Sequence, residues 1–473
     1  MPWLIFLIAL FTAYVALPVS EALFIRASSA NIPISDTWGF VPTIVAFVQT
    51  GHLSWGHLFS IYGDGRPAIE RLGLLLSGKF ISLNVQQVKM VSVVMGMLEA
   101  ACAIWAFRLA LPRYRCAVAM LAAFPVAVVI FSFNNWQNLL DEWNVMNLAA
   151  VALTFLAIVL AVHARSSERQ RLYLLVSLAL VCVIASFTGE SGTLSWIACA
   201  LLLWLPGGSG RLAERLGFSV VAVAFLVLYF SGASAVGSGH PLHHLLKVVD
   251  FALICLGNGV IGAGLKELPL ARVIGLVEVA VVLLLGAWVA ARRQWADRAV
   301  LVGIGLVAFG VMGAVATGVS RLQIGIGTAM SSRYVALTFP VAIGIYLVLV
   351  RMVNIGMDRQ GSLTLRAERV RLWALPCLVA AAFSVSGIVS DVRVAKVSGD
   401  KRAYYVLLRE MACDPTAYSN ADLSKFDHSG GLHPRQKLQL LAQIADLRRA
   451  RLSVFSDNGC KEYAGLPRSA HQK

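Results

Sequence analysis

The sequence predicts an all-α polytopic membrane protein of about eleven transmembrane helices, each apolar run being close to the roughly 20 residues that cross a bilayer. Three observations predict it. Hydrophobic residues fill 58% of the 473 positions, charged residues 14%, and the mean hydropathy is +0.74, a composition outside the range of soluble domains. Apolar runs of spanning length recur from end to end with glycines inside them, and lipid leaves an open chain only the helix as a way to satisfy its backbone. The net charge of +15 gathers in short segments between the runs, as the positive-inside tendency and contact with anionic lipid require. No basic face interleaved with aromatics accumulates, so the expected partner is the bilayer and not nucleic acid.

The runs fall at 3–25, 89–111, 115–133, 145–164, 171–187, 193–206, 217–235, 272–291, 299–319, 336–352 and 372–390. The first follows Met1-Pro2-Trp3, lacks a basic leader region and is long enough to span, so it is read as a retained helix. Basic connections at Arg113 to Arg115, Arg165 to Arg171, Arg211 to Arg215, Arg292 to Arg298 and Arg359 to Arg371 mark the cytoplasmic side. The N-terminus is then cytoplasmic and the C-terminus outside, provided that segment 242–264 does not cross. That segment carries His243, His244, Lys247, Asp250 and Asn258, with glycines in its second half, and is read as re-entrant or surface-lying. Two units follow, a transmembrane domain over 1–390 and a small outer subdomain over 391–473. Six cysteines lie in or beside apolar spans, where they act as small hydrophobes. Cys413 and Cys460 lie in the tail and suggest one disulfide in an oxidising compartment.

The polar interval 27–88 is the long first outer loop. Trp38, Phe40, Val41, Ile44 and Val48 recur at helical spacing, which predicts a juxtamembrane helix lying in the interface. Asp36, just before it, reads either as an N-cap or as a carboxylate whose basicity a dry aromatic surface tunes for proton abstraction. Arg66 and Arg71 follow in the same loop, and Arg321 and Arg333 flank a second outer loop ending at Tyr334. Arginine's planar fork suits phosphate at headgroup level; a solvated or headgroup-bound arginine is the plain alternative. The turn Asn134 to Asn144 mixes amides, acids and tryptophans, including Asn135 and Trp136, which fits sugar binding and aromatic-belt anchoring equally. Glu190, in a glycine-flexed turn, reads as an acid, a metal ligand, a donor-orienting group or a solvated turn residue. No histidine pattern has zinc spacing, and no nucleotide loop or Gly-x-Ser-x-Gly elbow occurs.

Four stretches, Asp36 to Phe40, Asp64-Gly65-Arg66, Ser186 to Trp196, and Ser331-Ser332-Arg333-Tyr334, give the chain a family likeness. It resembles the C-type (GT-C) superfamily of integral-membrane glycosyltransferases. More narrowly, it is similar to a group of bacterial polytopic membrane proteins with Asp-x-Trp-Gly-Phe and Ser-Arg-Tyr motifs. Asp64-Gly65 replaces that group's Glu-His pair, and the first loop lacks a closely spaced second acid, so no motif supports a divalent cation and no cofactor is expected. The resemblance implies an inverting transfer on the periplasmic side of a bacterial inner membrane. The sugar would come from a polyprenyl-phosphate donor and pass to an envelope glycolipid or polysaccharide. It implies Asp36 as the base, Arg66 and Arg333 as phosphate ligands seconded by Arg71 and Arg321, and sugar or acceptor contacts from Trp38, Asp64, Asn135, Trp136, Glu190 and Tyr334. The rival readings are a polymerase or ligase of lipid-linked oligosaccharides, and a lipid or polysaccharide transporter. Transporters pair two sets of interrupted helices with polar groups at mid-membrane, a pairing this sequence lacks.

Overall fold

The computed structural model describes residues 2–34, 36–62, 65–208, 211–232, 244–261, 267–360, 366–419, 434–456 and 460. These residues are helical and carry no named strand; an isolated bridge between Tyr62 and Gly65 closes a turn. Ten helical segments among them are long and apolar enough to cross a bilayer, and the chain is an all-α, multi-pass membrane protein.

The first of these is α1 (Pro2–Ser28). Its residues Leu4, Ile5, Ile8 and Phe11 are exposed, as lipid-facing side chains should be. The first loop then folds into α2 (Thr37–Thr50), α3 (Trp55–Leu58), α4 (Ala68–Ile81) and α5 (Val85–Lys89). The bundle continues with α6 (Val91–Ala110), α7 (Cys116–Ile130), the short α8 (Trp136–Leu140), α9 (Val145–Ser166) and α10 (Arg171–Thr188).

Next comes α11 (Leu194–Trp204), of 11 residues. At about 1.5 Å per residue it is too short for a full crossing, although its sequence is apolar throughout. The cause lies just upstream. A 3-10 turn, Glu190–Thr193, folds back on α10 so closely that only glycine fits at 192, because a Cβ there would overlap the Ala185 carbonyl. The turn takes up length that a continuous helix would have used.

Beyond α12 (Leu212–Phe230), α13 (Leu245–Ile261) is one helix of 17 residues. It packs tightly against α14 (Leu268–Ala291), with Gly257 against the Ala271 carbonyl and Gly275 against that of Leu253. Asn258 donates to the carbonyl oxygens of Ala329 and Ser331 at 3.4 and 3.3 Å, so it meets the connection between α15 (Arg298–Arg321) and α16 (Val335–Gln360). α16 forms the buried heart of the bundle.

α17 (Arg366–Cys413) is a single helix of 48 residues. It passes residue 390 without a break, so the expected domain boundary is not a boundary of secondary structure. The tail returns through α18 (Pro434–Ala450), which packs on α2. Cys413 and Cys460 are joined by a disulfide. The Ser453 amide donates to the Ser82 carbonyl at 2.7 Å and its hydroxyl to that of Asn31 at 2.9 Å, which fastens the tail over the first loop.

The basic connections meet at the opposite end of the bundle. Arg165 donates to the carbonyls of Leu202, Leu205, Pro206 and Trp295. Arg351 pairs with Asp297 at 2.7 Å and reaches the Ala110 carbonyl.

Candidate active site

A cleft of about 680 Å³ opens at the end of the bundle that carries the first loop. Asp36, Arg66 and Glu70 line it from the first loop, Glu190 from the turn before α11, and Arg321 and Arg333 from the α15–α16 connection. Tyr62, Trp143, Asn144 and Tyr334 complete its polar wall, while Leu194, Ile197, Leu226, Phe230 and Leu337 make an apolar one. Ile197 and Phe230 are also exposed on the bundle surface, so the apolar wall is continuous with the lipid-facing side.

Asp36 sits at the cap position of α2 with helical backbone angles, and its side chain makes no capping hydrogen bond. It is exposed to the cleft and to a side cavity of about 180 Å³ bordered by Phe40, His57, Ser60 and Arg71. Fully buried contacts fix its surroundings. Glu142 accepts from the Ile34 amide at 2.7 Å and pairs with Lys89 at 3.4 Å, both side chains being fully enclosed. Lys89 lies 5.0 Å from the ring of Tyr405 on α17, and that tyrosine donates to the Leu140 carbonyl at 2.6 Å. A buried pair of this kind holds elements in register because losing either partner strands the other charge.

The arginines divide into two kinds. Arg66 spends its guanidinium on the carbonyls of Phe59, Tyr229 and Ser231 at 2.6 to 2.7 Å, and its amide donates to the Tyr229 hydroxyl at 2.8 Å. It staples the first loop to the end of α12. Gly65 beside it must be glycine, since a Cβ would lie 2.9 Å from the Tyr229 hydroxyl and 3.1 Å from Glu190 Cβ. Arg71 donates to the carbonyls of His57, Leu58 and Ser60 and to the Ser60 hydroxyl; it lies on the side cavity rather than the main cleft. Arg321 pairs with Glu190 at 3.6 Å. Arg333 stacks over Tyr334, 4.9 Å from the ring centre, and its Nε makes no hydrogen bond among the described residues. A polar frame aims it: Gln137 Oε1 accepts from the hydroxyls of Ser331 and Ser332 and from the Arg333 amide at 2.6 to 3.1 Å, and Asn138 donates to the Arg333 carbonyl at 3.0 Å.

Of the residues singled out in the sequence, Asp36, Arg66, Glu190, Arg321, Arg333 and Tyr334 share the cleft. Trp38 is buried in the core, and Asn135 faces a small separate cavity with Glu99. Trp136 packs against the core. None of these three borders the main cleft: Trp38 points from α2 into the core, and the 133–140 stretch turns Gln137 and Asn138 toward the α15–α16 connection. Asp64 lies outside the described residues.

Sequence reasoning passed over Glu70. It is 3% exposed, lines the cleft, and its Oε1 has no hydrogen-bond partner among the described residues. Burial, then the neighbouring Asp141 and Asp36, hold its carboxyl well above the usual carboxylate range, which Arg71 only partly offsets. Burial and the adjacent Glu142 likewise push Asp141 up, against the hydrogen bond it accepts from the Trp143 amide. The available signal was an acid in the first turn of a loop helix whose residues Leu72 to Leu76 are apolar apart from a glycine. Among the described residues no group of three or more His, Cys, Asp or Glu is placed to hold a metal ion.

No family model matches the chain, and no curated protein matches it. Among solved structures it is similar to the oligosaccharyltransferase of Archaeoglobus fulgidus, crystallised in complex with Zn and sulfate, at 14% identity and a TM-score of 0.42. The match covers 91% of this chain and 61% of that one, so this chain spans less than two thirds of its neighbour's length.

Proposed function

We propose that this protein is a membrane glycosyltransferase. It moves a sugar from a polyprenyl-phosphate donor to a hydroxyl of an envelope glycolipid or polysaccharide, on the periplasmic side of a bacterial inner membrane. The observation that carries this reading is the cleft's division of chemistry. An uncapped carboxylate, Asp36, faces one wall, Arg321 and Arg333 another, and an apolar wall runs out to lipid. A lipid-linked phosphosugar needs those three surfaces together.

In the proposed step Asp36 takes the proton of the acceptor hydroxyl as its oxygen bonds to the anomeric carbon. The bond from that carbon to the phosphate oxygen breaks, and its electron pair leaves on the phosphate. Arg333, with Arg321 released from Glu190, neutralises the charge that develops there. Arg66 shapes the cleft by holding the first loop to α12. The N-terminus is assigned to the cytoplasm and the tail to the periplasm, because the basic connections gather at the end opposite the cleft.

The deciding experiment uses purified full-length protein in nanodiscs, a panel of radiolabelled polyprenyl-phosphate sugars and total membrane lipid extract. Transfer or donor hydrolysis that vanishes in Asp36→Asn supports the reading. Activity that survives in that variant removes Asp36 from the reaction.

A further inference from the structure

The cleft holds a second carboxyl that the reaction above does not use. Glu70 projects from the first turn of α4 into the same wall as Asp36, is almost wholly enclosed, and has an Oε1 without a partner. Buried polar oxygens are normally paired, so Glu70 offers a hydrogen-bonding position that a ligand in the cleft can complete. The groups around it narrow the ligand. Asp36 shares the cleft wall with it, Asp141 and the Lys89-paired Glu142 in the turn after α8 act on it from outside the cleft lining, and Arg71 follows it on its own helix. Nη1 of Arg71 is turned to the carbonyls of His57, Leu58 and Ser60, and the residue borders the side cavity and not the main cleft. Asp36 and Glu70 side by side make this wall less suited to phosphate than the side of the cleft that carries Arg321 and Arg333. A carboxyl among other carboxyls tends to keep its proton, and a carboxylic acid both donates and accepts, as a sugar hydroxyl does.

We propose that Glu70 binds the acceptor: its carboxyl takes a hydroxyl of a polyhydroxylated acceptor and sets a neighbouring hydroxyl over Asp36. This rests on the transferase reading for its reaction, though not for its binding site. Glu70 is on this view a positioning residue, and Asp36 the base.

Two measurements test it. In the nanodisc assay, Glu70→Ala lowers the ratio of transfer to donor hydrolysis by about tenfold or more, mainly through the KM for lipid extract, and Glu70→Gln restores part of it. An unchanged ratio in Glu70→Ala overturns the proposal. The second measurement needs no variant. Dicyclohexylcarbodiimide, an apolar reagent that adds to protonated carboxyls, should label Glu70 in the wild-type protein at neutral pH, as read by mass spectrometry. Total membrane lipid extract should block the labelling, and polyprenyl phosphate alone should not. No labelling means an ionised Glu70 and overturns the hydroxyl assignment; protection by polyprenyl phosphate, or by neither probe, overturns the acceptor site. If no donor is turned over yet the extract protects Glu70, the transferase reading fails and the binding site stands.

Discussion

The two ends of the bundle use arginine in opposite ways. At the end of the basic connections, Arg165 is closed by four carbonyls and Arg351 by Asp297 and the Ala110 carbonyl. At the cleft end, Arg333 lines the open cleft with its guanidinium stacked on Tyr334, and Asp36 makes no cap. Buried polar groups in a stable fold are normally paired, and the Arg165 guanidinium is held by backbone carbonyls whereas Arg333 lines the cleft, so the cleft end is where a ligand can supply a partner. Arg66 and Arg71 sharpen the lesson. They stand at the cleft end and behave like Arg165, with their donors turned to backbone carbonyls. Position at the cleft therefore does not make an arginine a ligand contact; a guanidinium that lines the cleft and is not held by backbone carbonyls is the better candidate.

The contrast can be broken by substitution. The largest effect is expected from Asp36→Asn, which should cut transfer by roughly 10²–10⁴ with no change in melting temperature, as checked by the nanodisc assay and by thermal unfolding. Arg333→Ala should lower transfer by about 10²-fold or more, again with little loss of stability. A thermal shift as large as the activity loss would move Arg333 into the structural group. Arg165→Ala should do the reverse, destabilising by about 2–3 kcal/mol as its carbonyls lose their donors, while any properly folded fraction keeps full specific activity. Cys413→Ser with Cys460→Ser opens a loop of 47 residues and should lower unfolding stability by about 2–4 kcal/mol.

The smallest effect concerns pH. Glu70 and Asp141 hold their protons in the fold above the usual carboxylate range. In that window the folded state binds more protons than the unfolded one, so stability falls as pH rises, up to about 8 for Asp141. The melting temperature should decline between pH 5 and pH 8, and Glu70→Gln should flatten part of that slope.

Much of this was legible in the sequence, because lipid reads composition so directly. Ten of the apolar runs became segments of spanning length. Asp36, Glu190, Arg321 and Arg333 stood out as charges in loops between spans, and the cleft gathers all four. Hydropathy already showed 193–206 as a short run, but not the backbone contact at Gly192 that folds the turn before α11 onto α10. Nor could it reveal that α17 continues past Ser390, where polar residues begin but nothing breaks the helix. Glu70 was hidden by its neighbour: an acid followed by an arginine on an amphipathic helix looks like a solvated face. The turn Asn134 to Asn144 fitted sugar binding and belt anchoring equally in the sequence; the partners of its amides Gln137 and Asn138 lie almost 200 residues away in the segment around Arg333.

The long last helix ties two environments into one object. Its 48 residues measure about 72 Å at 1.5 Å per residue, more than twice the roughly 30 Å of hydrocarbon. Beyond Pro376 it runs without a break to Cys413, so a tilt of its membrane part is carried outward. Its far end joins the tail that covers α2, the helix begun by Asp36. Bilayer thickness, by setting the lean, then becomes a mechanical input to the cleft, and lipid chain length joins temperature and pH among the variables that any activity measurement on this protein must fix.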